Sequence, residues 1–104
     1  MILEMNGFAT TTARNEKDLH YAMKKQLPDL LLMDINVDGA DGREICQLIK
    51  TTEHTSHIPV VLMSSSANKL ETFRKYQADD FLEKPFNLKD LVAKLRFHLA
   101  ARVN

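Results

Sequence analysis

The sequence predicts an α/β fold, a parallel β-sheet covered by helices on both faces, in one domain spanning residues 1–104. Two apolar runs, Leu30-Leu31-Leu32-Met33 and Ile58-Pro59-Val60-Val61-Leu62-Met63, have the length and continuity of strands buried on both sides. Segments of helical period alternate with such runs, the mark of repeated βαβ units. No repeat, low-complexity stretch or Pro/Gly/Ser-rich linker divides the chain, and 104 residues is the size of one domain.

Each element has its own signal. Met1 to Asn6 reads as the last turns of a helix that ends at Gly7, a residue suited to the left-handed cap. Phe8 to Thr12 is a short strand rich in Thr. Asn15 caps the next helix, in which Leu19, Ala22, Met23 and Leu27 recur at helical spacing before Pro28 closes it. Asp29 to Met33 is a central strand with Asp34 at its carboxyl end. After a loop containing Gly39 and Gly42, Ile45, Leu48 and Ile49 mark the inner face of a helix. The next buried strand carries Pro59 at its entrance, where proline is tolerated. Leu70, Phe73 and Tyr76 predict a short helix, and Asp80 to Glu83 a strand. Asn87 caps a last helix whose Leu88, Leu91, Val92, Leu95 and Leu99 form one apolar stripe, read as core.

Composition removes several classes of function. Hydrophobic residues make up 44% and charged residues 27%, as in folded globular domains. No apolar run is long enough to cross a membrane, and the N-terminus lacks the features of a signal peptide, so the expected location is cytoplasmic. Fourteen basic and fourteen acidic side chains are evenly spread, without the concentrated positive face that nucleic acid requires. The single Cys46 has no disulfide or zinc partner and reads as a small buried residue on a helix. His20, His54, His57 and His98 lack metal-ligand spacing.

The chemistry collects at strand ends. Ligands of open parallel sheets bind beyond the carboxyl ends of the strands, and three predicted strands finish in Asp34, Ser64 and Lys84-Pro85. Singly, each is an ordinary loop or capping residue. Jointly they bring a carboxylate, a hydroxyl and an ammonium to one edge. Such a set suits an anionic group carried on the carboxylate, with the ammonium neutralising charge and the hydroxyl donating a hydrogen bond.

The runs Asp34-Ile35-Asn36-Val37-Asp38-Gly39-Ala40-Asp41-Gly42, Ile58 to Ser64, and Phe81-Leu82-Glu83-Lys84-Pro85-Phe86 resemble the receiver domain of two-component response regulators. The resemblance implies a flavodoxin-like, doubly wound sheet of strand order 2-1-3-4-5. It implies phosphorylation of Asp34 by a sensor histidine kinase or a phosphotransfer protein, Mg²⁺ dependence, and a downstream effector as partner. It also makes Ser64 the switch hydroxyl, Phe81 the aromatic that follows it, Lys84 the phosphate contact, and Lys84-Pro85 a cis peptide. Beyond phosphotransfer to itself and its reversal, no enzymatic activity is implied.

Two departures from the family pattern bear on the metal. The usual first strand, which ends in an acidic pair, and most of the first helix are missing, as if the domain were truncated at its N-terminus. Asp38 stands where the family commonly has proline. Mg²⁺ takes six oxygens and is held by one or two carboxylates, with water and phosphate completing the set. Asp34 and the backbone carbonyl of Asn36 remain as ligands, with Asp38 a further candidate, so weak metal binding is expected. The start of an EF-hand loop is also matched by Asp34-x-Asn36-x-Asp38-Gly39, but its twelfth position is Ile45 instead of Glu and a strand precedes it.

Two functional readings follow: a phosphoacceptor receiver, or a degenerate receiver that acts as a phosphorylation-independent interaction module. A missing central strand would also leave unpaired backbone groups. The expectation is that a homodimer, or re-pairing of the first strand beside Leu30 to Met33, fills that gap.

Overall fold

The computed structural model describes residues 2–6 and 9–103. Five strands make the main sheet: β1 (Ile2–Asn6), β2 (Ala9–Ala13), β3 (Leu30–Asp34), β6 (Val60–Ser64) and β7 (Asp80–Glu83). Between β3 and β6, β4 (Asn36–Val37) and β5 (Ala40–Asp41) form a small antiparallel ribbon. The helices are α1 (Glu16–Lys25), α2 (Gly42–Thr51), α3 (Ala67–Leu70) and α4 (Leu88–Val103). The main sheet has the order β2-β1-β3-β6-β7. β3, β6 and β7 are parallel neighbours, so their carboxyl ends share one edge.

Side-chain alternation along the buried strands sorts the core into two layers. Leu31 and Met33 of β3, with Val60 and Leu62 of β6, pack against Leu19 of α1, Ile45, Cys46 and Ile49 of α2, and Leu70 of α3. Leu30, Leu32, Val61 and Met63 face the other way, with Leu82, against Leu91, Leu95 and Leu99 of α4. This is the flavodoxin-like arrangement. Of the apolar stripe of α4, Leu95 is buried and Leu91 and Leu99 pack against this layer, whereas Val92 is half-buried outside it and Leu88 is 72% exposed.

Short polar residues fix where the helices begin. The side chain of Asn15 accepts a hydrogen bond from the Asp18 amide, Asp41 from Arg43, Ser66 from Lys69 and Asn87 from Asp90. Each such cap stabilises its helix by about 1 kcal/mol. The helix expected around Leu70, Phe73 and Tyr76 is shorter than the pattern implied. It is regular only to Leu70, and residues 71–77 continue as turns that end at Gln77, with φ of 67°.

The N-terminal segment corrects the sequence reading. Ile2–Asn6 is a strand and not the end of a helix, and it lies between β2 and β3, antiparallel to both. Met1, Gly7 and Phe8, also placed by that reading, lie outside the described residues. The physical reason is backbone pairing. A buried N–H or C=O without a partner costs about 1–3 kcal/mol, and an isolated helical stretch of six residues is far below the length at which helices persist. Lying between two strands, the segment satisfies its own groups and those of both neighbours. The gap that motivated a strand-paired dimer is therefore filled within the chain.

Candidate functional site

Asp34 ends β3 at the carboxyl edge of the sheet and is buried, as is Ser64 at the end of β6. Lys84 follows β7, two strands away from β3. Its ammonium reaches over the end of the intervening β6 and pairs with Oδ2 of Asp34. The carboxylate is 13% exposed and the lysine side chain 38%. The structure thus brings Asp34 and Lys84 together directly and places Ser64 on the strand they bridge.

Backbone hydrogen bonds lock these ends in register. The Ile35 amide donates to the Met63 carbonyl at 2.9 Å, and the Lys84 amide to the Ser64 carbonyl at 2.8 Å. The Ser64 hydroxyl accepts from the Ser66 amide at 3.0 Å, tying it to the residue that caps α3. Oδ1 of Asp34 accepts from the Asn36 amide at 3.3 Å. The Lys84–Pro85 bond is cis, as the resemblance implied.

The N-terminus of α2 is docked against the end of β3. The Gly42 amide donates to the Ile35 carbonyl at 2.6 Å. A Cβ on Gly42 would stand 2.2 Å from the Asp34 carbonyl oxygen, so only glycine permits this approach. Phe81 is 36% exposed. Its ring meets Phe73 at 4.9 Å between centroids, and the Lys94 ammonium sits 4.8 Å from its centre.

Where the family pattern would put an acidic pair, the start of β1 arrives, with Ile2 opposite Met33, the residue before Asp34. Asp38 is exposed at the tip of the β4–β5 ribbon, beside Gly39, whose φ of +76° makes the turn. Among the described residues no three acidic, His or Cys side chains form a metal-holding group. Asp34 and the Asn36 carbonyl still match the sparse protein ligation that Mg²⁺ accepts when water and phosphate complete its shell.

A model of the response regulator receiver domain matches residues 1–96. The chain belongs to that family. This receiver domain is 33% identical over 97 residues to the phosphate regulon transcriptional regulatory protein PhoB of Pseudomonas aeruginosa, a match covering 90% of the chain and 42% of that protein. It is 33% identical over 98 residues to the transcriptional regulatory protein CseB of Streptomyces avermitilis, covering 92% and 40%. The receiver domain therefore spans well under half the length of these relatives. Among solved structures it resembles the signal receiver domain of a signal transduction histidine kinase from Syntrophus aciditrophicus, with a TM-score of 0.81 and 26% identity over 91% of this chain and 74% of that one. The receiver domain of NtrX from Brucella abortus gives 0.80 and 28%, over 90% and 80%.

Sequence reasoning missed two polar clusters near this receiver site. One joins Asp41, Arg43 and Thr72; the signal available was the Asp-Gly pair that opens α2. The other centres on Asp80, whose carboxylate accepts from Lys94 and His98 at 2.9 Å each and from the Phe81 amide at 2.8 Å. Burial pushes the Asp80 carboxyl up, but the hydrogen bonds from Lys94, His98 and the amide outweigh it and hold the group below its ordinary value of 3.8. A carboxyl depressed in the folded state adds stability above its unfolded pKa and loses it as pH falls through the folded value. Replacing Asp80 by Asn should therefore lower the thermal midpoint at neutral pH and flatten its decline as pH falls through and below the ordinary carboxyl value of 3.8. An unchanged acid slope would show that Asp80 has no part in it.

Cys46 plays no part in the site chemistry. Burial on the inner face of α2 pushes its thiol up to about 12, which keeps it in the protonated form at neutral pH.

Proposed function

We propose that this receiver domain accepts a phosphoryl group on Asp34 and uses the charge to switch the face formed by α3, β7 and α4. The observation that carries the reading is the Asp34–Lys84 pair closing over the end of β6, where Ser64 stands. A carboxylate oxygen of Asp34 attacks the phosphorus of a phosphohistidine on a sensor histidine kinase or phosphotransfer protein. The P–N bond breaks, and the imidazole nitrogen leaves with the electron pair and takes a proton. Lys84, already directed at Asp34, passes its hydrogen bond to a phosphoryl oxygen, where a charge-assisted contact is strongest. Ser64 gives up the Ser66 amide to donate its hydroxyl to the same group, and Phe81 follows. Mg²⁺, the usual metal of this family, would be held by Asp34 and the Asn36 carbonyl and would neutralise charge on the transferred oxygens.

The altered face would then engage a downstream effector protein or domain. A phosphorylation-independent module is the competing reading, favoured by the thin set of carboxylates at the edge.

Incubation with acetyl phosphate and Mg²⁺, followed by intact-mass measurement, separates the two. One phosphoryl adduct per chain is expected, formed about 10²-fold more slowly in Lys84→Ala. The same substitution should move the thermal midpoint little, because an ion pair with one exposed partner contributes about 0–1 kcal/mol. No adduct at any concentration of acetyl phosphate would favour the interaction module.

A further inference from the structure

Arg43 is the second residue of α2, yet its guanidinium is spent on two different parts of the chain. Towards the acceptor loop it forks onto Asp41, with Nε 3.1 Å from Oδ1 and Nη2 2.8 Å from Oδ2. In the opposite direction Nη1 donates to the Thr72 hydroxyl at 3.2 Å, and the group lies 5.1 Å from the centre of the Tyr76 ring. The Thr72 hydroxyl directs its own hydrogen to the Lys69 carbonyl at 2.5 Å, so its lone pair is oriented to receive Arg43. The arginine side chain is 18% exposed and Asp41 30%, a partly desolvated pair in which charge and hydrogen bonds count for more than at a free surface.

Both ends of this tie touch the site. Asp41 caps α2 beside Gly42, whose amide grips the Ile35 carbonyl next to Asp34. Thr72 and Tyr76 flank Phe73, the residue stacked on Phe81. The segment they occupy has little regular structure of its own. Thr72, Phe73 and Gln77 close three-residue turns onto Lys69, Leu70 and Arg74, with a single longer helical bond from the Tyr76 amide to the Thr72 carbonyl at 3.3 Å and one from Ala78 to Phe73 at 2.9 Å. A stretch so weakly held by its own backbone opens easily unless an outside contact restrains it.

We infer that Arg43 is a positioning residue, a resting-state tie that holds the segment 71–77 and, through Phe73, Phe81 in the unphosphorylated arrangement. This rests on the phosphoacceptor reading of Asp34. A contact made in one of two states biases the equilibrium by its own free energy. Breaking the tie therefore raises the population of the switched state before any phosphorylation. Removing a charge-assisted hydrogen bond together with a cation–π contact amounts to about a tenfold shift in that equilibrium. Lysine keeps the charge but not the fork, and leaves most of the shift in place.

The test compares wild type, Arg43→Met, Arg43→Lys, Thr72→Val and the double variant Arg43→Met/Thr72→Val, using the backbone amide resonances of Phe73 and Phe81. Beryllofluoride with saturating Mg²⁺ defines the switched position in wild type. Without beryllofluoride, Arg43→Met and Thr72→Val should each move these resonances along the line towards that position, and the double variant should go no further than Arg43→Met. Thr72→Val removes one hydroxyl and keeps the shape of the side chain, so it reports even if Arg43→Met folds poorly. Acetyl phosphate should still label every variant, and no more slowly than wild type, because a bias towards the switched state favours the phosphorylated form. Unmoved resonances with only a lowered thermal midpoint would make Arg43 a structural brace and overturn the inference while labelling stands. A wild type that neither labels nor responds to beryllofluoride would overturn the phosphoacceptor reading itself, and the inference with it.

Discussion

Substituting Gly42 by Ala should both destabilise the domain and disable the acceptor. The added methyl would meet the Asp34 carbonyl oxygen at 2.2 Å and the Asp34 carbonyl carbon and Ile35 Cα at 3.1 Å. All three are backbone atoms, two at the buried end of β3 and one in the residue after it, so no flexible side chain can yield. Either α2 withdraws and loses the Gly42–Ile35 hydrogen bond, or β3 shifts at the residue that bears the carboxylate. Forced overpacking of this kind costs about 3 kcal/mol, a large part of a net stability of about 5–15 kcal/mol. The thermal midpoint should fall by about 10–20 °C. Labelling of Asp34 by acetyl phosphate should slow by about 10²-fold, because reacting atoms misplaced by an ångström lose most of their advantage. A variant with the wild-type midpoint and labelling rate would show that α2 is not docked as described.

Leu3→Pro should be the most damaging change near the N-terminus. Leu3 is the middle of β1 and lies opposite Thr12 on one side and Leu32 on the other. Proline removes a backbone donor, and its ring disrupts the ladder on both flanks, which confines it to edges and bulges in natural sheets. The cost is about 3 kcal/mol or more, since the acceptor left behind is buried without a partner. Urea denaturation should give a sharply lower midpoint, and the amide of Leu32, opposite Leu3, should lose its protection against hydrogen exchange, while that of Leu31, bonded to the Pro59 carbonyl on the other side, should keep more of it. Full protection of the Leu32 amide in the variant would mean that β3 does not depend on β1.

The parts of this fold legible in the sequence are those where one physical signal dominates. Leu30 to Met33 and Val60 to Met63 are apolar throughout because both faces of their strands are covered. Asn15 and Asn87 cap helices for local reasons that any tertiary context preserves, and the structure adds Asp41 and Ser66 as caps that the sequence reading did not assign. The alignment of Asp34, Ser64 and Lys84 was visible because parallel strands present their carboxyl ends on one edge.

The N-terminal segment failed the same reasoning. Met1-Ile2-Leu3-Glu4-Met5 has no strong preference of its own, and the sheet position beside β3 decides its state. The helix expected to include Phe73 and Tyr76 stopped at Leu70 because those rings serve the neighbouring elements, Phe73 on Phe81 and Tyr76 on Arg43. The sequence reading gave Arg43 and Lys94 no role, and only the fold brings them their distant partners Thr72 and Asp80. Leu88 lay on an apolar stripe that the sheet does not reach.

Chemical location of the phosphoryl group is the most direct test of the phosphoacceptor role. Borohydride reduces an aspartyl phosphate to homoserine, so treating the acetyl phosphate-labelled protein and sequencing its peptides by mass spectrometry marks the acceptor permanently. Homoserine at position 34, in the peptide bearing Leu30 to Met33, is the predicted result, with none formed when acetyl phosphate is omitted. Homoserine at Asp38 or Asp41 instead, or a phosphoryl group that survives borohydride on Ser64, would contradict it.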